Sequence, residues 1–370
     1  MSQITIKTLT SVHIGSGETF QYGNDFVRGK DADGDSIIGI VEPKQVLALI
    51  GEKNLDAWIT AIDGGRSTDQ IVKQYAPSAK LEQYSRRIIL SWANEIKPTD
   101  TLKEYIHDGL GRPYIPGSSI KGAIRTAVLA SCCKERDDLE QYARNKSGKV
   151  TAKIIEQKFF GKDVHSDVFR FLHVGDAFFG KNYEAAVRMV NINEREKAGF
   201  WDMTKSQLLE VLSPDDEAIF ELRLKTELYE RAKVATALLP ECMHTLPELF
   251  QTINQYTKKM IKQEISYWME RQDKDDSGKV DDYLERMRQL LAEVEQCQPD
   301  KECVLRVGAG SGWRFITGAW TENWRTFETT VVPAARRNNQ RYTQFHFPKT
   351  RRVDEECDVL GFVKLSILTE

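Results

Sequence analysis

Between Ile219 and Leu228 the chain alternates, with Phe220, Leu222, Leu224 and Leu228 set against Glu221, Arg223, Lys225 and Glu227. A period of two is the mark of a strand with one buried and one wet face, so the fold must contain a sheet and something apolar to cover it. The N-terminal stretch repeats the pattern: Ile4, Ile6, Val12 and Ile14 share one parity, and Thr5, Lys7, Ser11 and His13 take the other. This strand is predicted to end in a tight turn at Gly15-Ser16-Gly17. Phe169 to Phe179, rich in aromatic and β-branched residues, reads as another strand, as do Val304 to Val307 and the closing Leu360 to Leu368.

The covering layer is written in the other period. After Pro116-Gly117, Ser118 is placed to cap a helix whose apolar stripe is Ile120, Ala123, Ile124, Ala127 and Val128. Thr245 caps a second, with Leu246, Leu249, Ile253, Tyr256 and Met260 spaced by three and four, and a third spans Asp281 to Glu295. The last two are expected to form a helical hairpin. The order strand, helix, strand, strand, helices, strand is that of an α+β, ferredoxin-like (RRM-like) core. At 370 residues the chain is too long for that core alone. We therefore read residues 1–240 as the core region with an insertion at about 18–112, which carries a helix around Val41 to Trp58. Residues 241–300 form a helical insertion, and 301–370 hold a glycine-rich loop and the closing strand.

Several function classes are excluded at this stage. No apolar run approaches the ~20 residues that cross a bilayer. The first residues lack the charged and apolar segments of a secretory signal, so the expected address is the cytoplasm. Six cysteines without a C-x-x-C spacing read as reduced thiols. Gly308-Ala309-Gly310-Ser311-Gly312 lacks the spacing of a dinucleotide fingerprint, and no phosphate-binding P-loop occurs. The acidic run Asp273, Asp275, Ser277, Gly278, Asp281 imitates a calcium loop, but its twelfth position is Leu284, so it reads as a linker. No cofactor or metal is expected.

Charge points elsewhere. The net charge is −3, yet residues 306–352 hold nine Arg and Lys against Glu322 and Glu328, while residues 270–300 hold ten acids and five bases. A polyanion would therefore dock in one orientation. Two places offer main-chain amides to it: the first turn of the capped helix at Ser118, Ser119 and Lys121, with Arg125 one turn on, and the loop Gly308, Gly310, Gly312. Trp313 or Phe315 would stack bases, and Arg314, Arg336, Arg337, Lys349, Arg351 and Arg352 would neutralise phosphates. For hydrolysis the candidates are Asp25, His13 and Asp176.

Ser11 to Glu18, Ile115 to Arg125 and the Gly308 to Trp313 loop, as an ordered set, resemble the hallmark segments of the RAMP superfamily of CRISPR-associated proteins. Within it, the length, the helical insertion and the closing Phe347 to Arg352 with Leu360 to Val363 resemble the fifth, terminal backbone subunit of type III-A (Csm) effector complexes. The resemblance implies a noncatalytic subunit that binds the 3′ part of the CRISPR guide RNA, with His13 among the contacts. It also implies contacts with neighbouring backbone and small subunits, and recruitment of cellular nucleases that trim the guide. Related subunits cut target RNA with an aspartate after the first strand. Gly23-Asn24-Asp25-Phe26 does not reproduce that pattern, so a metal-dependent endonuclease using Asp25 is kept as the alternative.

Overall fold

The computed structural model describes residues 2–134, 137–142, 151–180, 184–194, 200–316, 318–335 and 345–368. In chain order the strands are β1 (Ser2–Thr8), β2 (Gly15–Gln21), β3 (Phe26–Lys30), β4 (Ser36–Val41), β5 (Ser85–Ser91), β6 (Thr101–Tyr105), β7 (Tyr114–Ile115), β8 (Leu172–Val174) and β9 (Ala177–Phe178). They continue as β10 (Glu184–Asn193), β11 (Trp201–Leu212), β12 (Glu217–Leu224), β13 (Glu302–Arg306), β14 (Thr350–Val353) and β15 (Phe362–Ile367). A five-stranded sheet has the order β13-β15-β1-β12-β8. Its inner face, with Ile4, Ile6, Phe220, Leu222 and Leu365, packs against Ile120, Ile124 and Val128 of α4 and against Leu249 and Ile253 of α7. Here α1 to α3 are Pro43–Ile50, Leu55–Asp63 and Thr68–Tyr75, and α4 is Gly117–Cys132. They are followed by α5 (Lys153–Phe160), α6 (Thr226–Ala232), α7 (Leu246–Met269) and α8 (Lys279–Gln296). Helices α7 and α8 lie antiparallel, Lys258 pairing with Glu295 at 2.8 Å and the Tyr283 hydroxyl donating to Glu264 at 3.0 Å.

A second sheet has the order β2-β6-β11-β10-β5-β4-β3, with β14 on β10, and β7 pairs with β9 apart from both. The segment expected to be an insertion thus supplies β2 to β6 of a sheet that the sequence pattern did not reveal. Its central strand β10, Glu184–Asn193, is buried along nearly its whole length, Glu184, Arg188 and Asn191 included, so no wet face marks it by alternation. Other boundaries move for local reasons. Gly15-Ser16-Gly17 begins β2 instead of turning, the turn falling at residues 9–14. The helix expected at Val41 to Trp58 is two, because Pro43 starts α1 and Gly51, at φ 84°, ends it. The strand expected from Phe169 to Phe179 breaks at Gly175 into β8 and β9. All six cysteines are free. Asp275 of the calcium-like run bonds Ser277 and the Val280 N–H, tying down the start of α8.

Candidate nucleic-acid interface

Strand β13 ends against β15, and the chain then turns through Gly308, Gly310 and Gly312, each with positive φ (72°, 82° and 70°). The Ala309 N–H donates to the His13 carbonyl at 2.9 Å, and a Cβ on Gly308 would run into that same oxygen. Glycine is required there for both conformation and space. Two donors fix the loop from within: Ser311 Oγ to Gly308 O at 2.8 Å and Arg306 Nη2 to Gly310 O at 3.0 Å. Among the described residues the N–H groups of Gly310, Ser311 and Gly312 have no acceptor. Successive free amides of this kind form an anion-binding concavity.

Behind the loop lies a cluster of buried arginines. Glu264, 2% exposed, takes Arg314 at 2.9 Å on one oxygen and Arg351 on the other, and Arg314 also pairs with Glu322 at 2.8 Å. Burial alone would raise the Glu264 pKa, but the two guanidinium groups hold it down at about 2. Arg306 is different: it sits between the Phe315 and Phe362 rings, at 4.8 and 4.9 Å, bonds only to the carbonyls of Leu360 and Gly310, and makes no ion pair among the described residues. Burial pushes its pKa down. Arg351 Nη2 is buried without a partner. Together with Gly310, Gly312 and the exposed Arg352, these arginines line a cleft of about 10 Å³, room for one water-sized group. Three buried guanidinium groups facing two carboxylates leave an excess of positive charge directly beneath the free amides.

This corrects the sequence reading in part. Arg314 and Arg351 were expected as surface cations, yet both are buried and compensated by Glu264 and Glu322. Phe315 is buried beneath Arg306 and offers no face for stacking, while Trp313 is half-buried against Phe347 and Phe327 at 5.0 and 5.6 Å. His13 is 4% exposed, its Nδ1 2.6 Å from the Glu210 carbonyl, and burial lowers its pKa, so it contributes no cation. Lys349 donates to the Glu194 carbonyl at 3.2 Å. Arg336 and Arg337 lie outside the described residues. Glu264 escaped notice although the sequence carries its signal, a carboxylate one turn beyond Met260 on the apolar stripe of α7.

The second amide site is largely closed. Helix α4 starts at Gly117, with Pro116 and not Ser118 at its cap position. The Gly117 N–H is taken by the Asp176 carboxylate at 2.7 Å and the Ser119 N–H by the Pro116 carbonyl, leaving Ser118. Asp176 thus acts as a helix cap, which explains it without catalysis. Lys121 donates to the Leu172 carbonyl at 2.8 Å. Arg125 lies against Phe160 and Phe169, at 4.5 and 4.9 Å, and pairs with Asp167 at 3.0 Å and Glu156 at 3.4 Å. Arg125→Ala is accordingly expected to lower stability by about 1–2 kcal/mol in urea denaturation and to leave the salt dependence of RNA binding unchanged. A chain of contacts runs from the glycine loop toward the start of α4: the His13 ring meets Tyr105 edge-on at 6.3 Å, and the Tyr105 hydroxyl donates to the Tyr114 carbonyl at 3.1 Å.

Among the described residues neither chemical alternative gains a site. The Asp25 carboxylate accepts from the Gln21 N–H at 2.8 Å and shapes the turn before β3. Among the described residues the group suited by position to hold a metal is His107, Glu184 and Glu210, with ligand atoms within 4.8 Å. Both oxygens of Glu210 are already taken, by Arg87 at 2.9 and 2.7 Å and by the Tyr105 N–H at 2.9 Å. A guanidinium in that position repels a cation, so the donor set does not fit a metal centre.

The fold and the glycine loop define a class. The sequence model of the RAMP superfamily matches residues 5–315, and the chain belongs to that superfamily. Within it the chain is similar to CRISPR system proteins named Csm5. It is 27% identical to that of Mycobacterium tuberculosis over 155 residues, 36% of this chain and 40% of the relative. Over 185 residues, 47% of this chain and 42% of the relative, it is 25% identical to that of Methanocaldococcus jannaschii. The chain thus spans about two fifths of the length of these curated relatives. Among solved structures, a chain of the Csm-crRNA-target RNA ternary complex of a type III-A CRISPR-Cas system shares the fold with a TM-score of 0.72 and 20% identity, covering 99% of this chain and all of that one. The crystal structure of T. onnurineus Csm5 gives 0.67 and 18%, covering 98% and 100%.

Proposed function

We propose that this chain is a noncatalytic subunit of a type III-A CRISPR ribonucleoprotein and holds the 3′ part of the guide RNA through its ribose-phosphate backbone. The observation that carries the reading is the excess of buried guanidinium beneath three acceptorless amides. Phosphate oxygens accept from the Gly310, Ser311 and Gly312 N–H groups, Arg352 neutralises charge from the exposed side, Arg306 fixes the loop from below, and Arg351 adds to the positive field there. Such contacts read no base, which suits a subunit that must accept any guide. The order β15-β1-β12-β8 supports an RRM-like core with β13 added at its edge and residues 241–300 as a helical insertion. Neighbouring backbone and small subunits, and nucleases recruited for guide trimming, are the partners this assignment implies. The cytoplasm is the compartment. Among the described residues no helix is long and apolar enough to cross a membrane.

Binding of labelled single-stranded RNA over a salt series tests the reading. Arg352→Gln is expected to flatten the slope of log affinity against log salt by about 0.7, one phosphate contact. An unchanged slope would remove Arg352 from the interface.

A further inference from the structure

We propose that the tryptophan pocket beyond Trp313 receives one unstacked base of the RNA strand whose phosphates lie on the glycine loop, an inference that rests on the RNA-binding reading above. Immediately after Gly312 the chain folds through short helical turns that bring Trp313, Trp320 and Trp324 together, the last two edge-to-face at 5.2 Å. With Ile155, Val331 and Ala334 they line a cavity of about 230 Å³ whose walls, among the described residues, contain no Asp, Glu, Lys or Arg. That is below the ~300 Å³ at which pockets for drug-sized ligands begin, and suits a single ring system.

Two observations choose the occupant. The aromatic wall, uncharged among the described residues, disfavours a phosphate or an ion, which would be desolvated there without compensation. An aliphatic side chain from a neighbouring protein would fill the space without a flat surface of its own, whereas a nucleobase brings flat faces for the indoles. Position supplies the second: Trp313 follows Gly312 directly, so a nucleotide whose phosphate sits on the loop has its own base within reach of the cavity.

The test uses the full chain, alone and in the assembled ribonucleoprotein, with single-stranded RNA carrying one abasic ribose at successive positions. In the wild type one position is expected to lose affinity about 5- to 100-fold when its base is removed, and the others little. Ala334→Phe, which fills the cavity from an exposed position, should abolish that position dependence while keeping the salt slope. Trp320→Leu, which keeps apolar bulk and deletes the flat indole face, should shrink the abasic penalty, so the inference does not hang on one variant. RNA binding with a flat abasic profile would overturn the pocket assignment and leave the phosphate reading standing. A flat profile combined with loss of a neighbouring subunit from the Ala334→Phe complex would reassign the pocket to a protein anchor. Absence of RNA binding by both chain and complex would overturn both readings.

Discussion

Glu264→Ala is expected to cost about 3–5 kcal/mol of stability in urea denaturation followed by circular dichroism, and to abolish the ordered glycine loop with it. The reason is the asymmetry of buried ion pairs. One carboxylate serves Arg314 and Arg351, both about 5% exposed, and the Tyr283 hydroxyl as well. Its removal leaves Arg351 without a carboxylate and Arg314 with Glu322 alone, beside Arg306, which makes no ion pair among the described residues. The same residue sets an acid limit. Its folded pKa of about 2 lies below the unfolded value of 4.5, so the stability it confers is complete above pH 4.5 and is lost as the pH falls from there toward 2. That contribution is about 3 kcal/mol. Glu264→Gln should remove this part of the acid dependence, and a variant that retained the wild-type acid profile would show that Glu264 is not the ionised centre of the cluster.

Gly308→Ala should lower RNA affinity at least tenfold. A left-handed φ of 72° costs an L-residue about 1–2 kcal/mol, and the new Cβ meets the His13 carbonyl that anchors the Ala309 N–H. Relief requires the loop to leave the His13 segment that orients its free amides. Gly17→Ala is the control, since its φ is 100° but nothing lies within 4 Å of the added carbon. It should show the strain cost alone, with RNA binding intact. Equal losses in both variants would mean that the loop's position against His13 is irrelevant to binding.

The parts of this architecture that sequence revealed are those governed by local rules. Period-two alternation located β1, β12 and β15, and the capping box at Thr245 and Glu248 placed the start of α7. The second sheet was illegible because its central strand β10 is wet on neither face. Ala185, Val187 and Met189 of β10 are buried on one side and Ala186, Val190 and Ile192 on the other, so no alternation survives. At the site, the glycine loop was legible because its need for positive φ is written in residue type. The state of the arginines was not, since whether a guanidinium faces water or a carboxylate depends on Glu264, 87 residues from Arg351 in the chain. Ser118 misled for a similar reason: the Asp176 carboxylate that shields the start of α4 comes from a distant turn.

The most direct test is photocrosslinking of 4-thiouridine-substituted guide RNA in the assembled ribonucleoprotein, with mass-spectrometric mapping of the attached peptides on this chain. The account predicts crosslinks concentrated in residues 308–324 and at Arg352. Crosslinks confined to the start of α4, or to the outer face of β1 and β12, with none on the glycine loop, would contradict it.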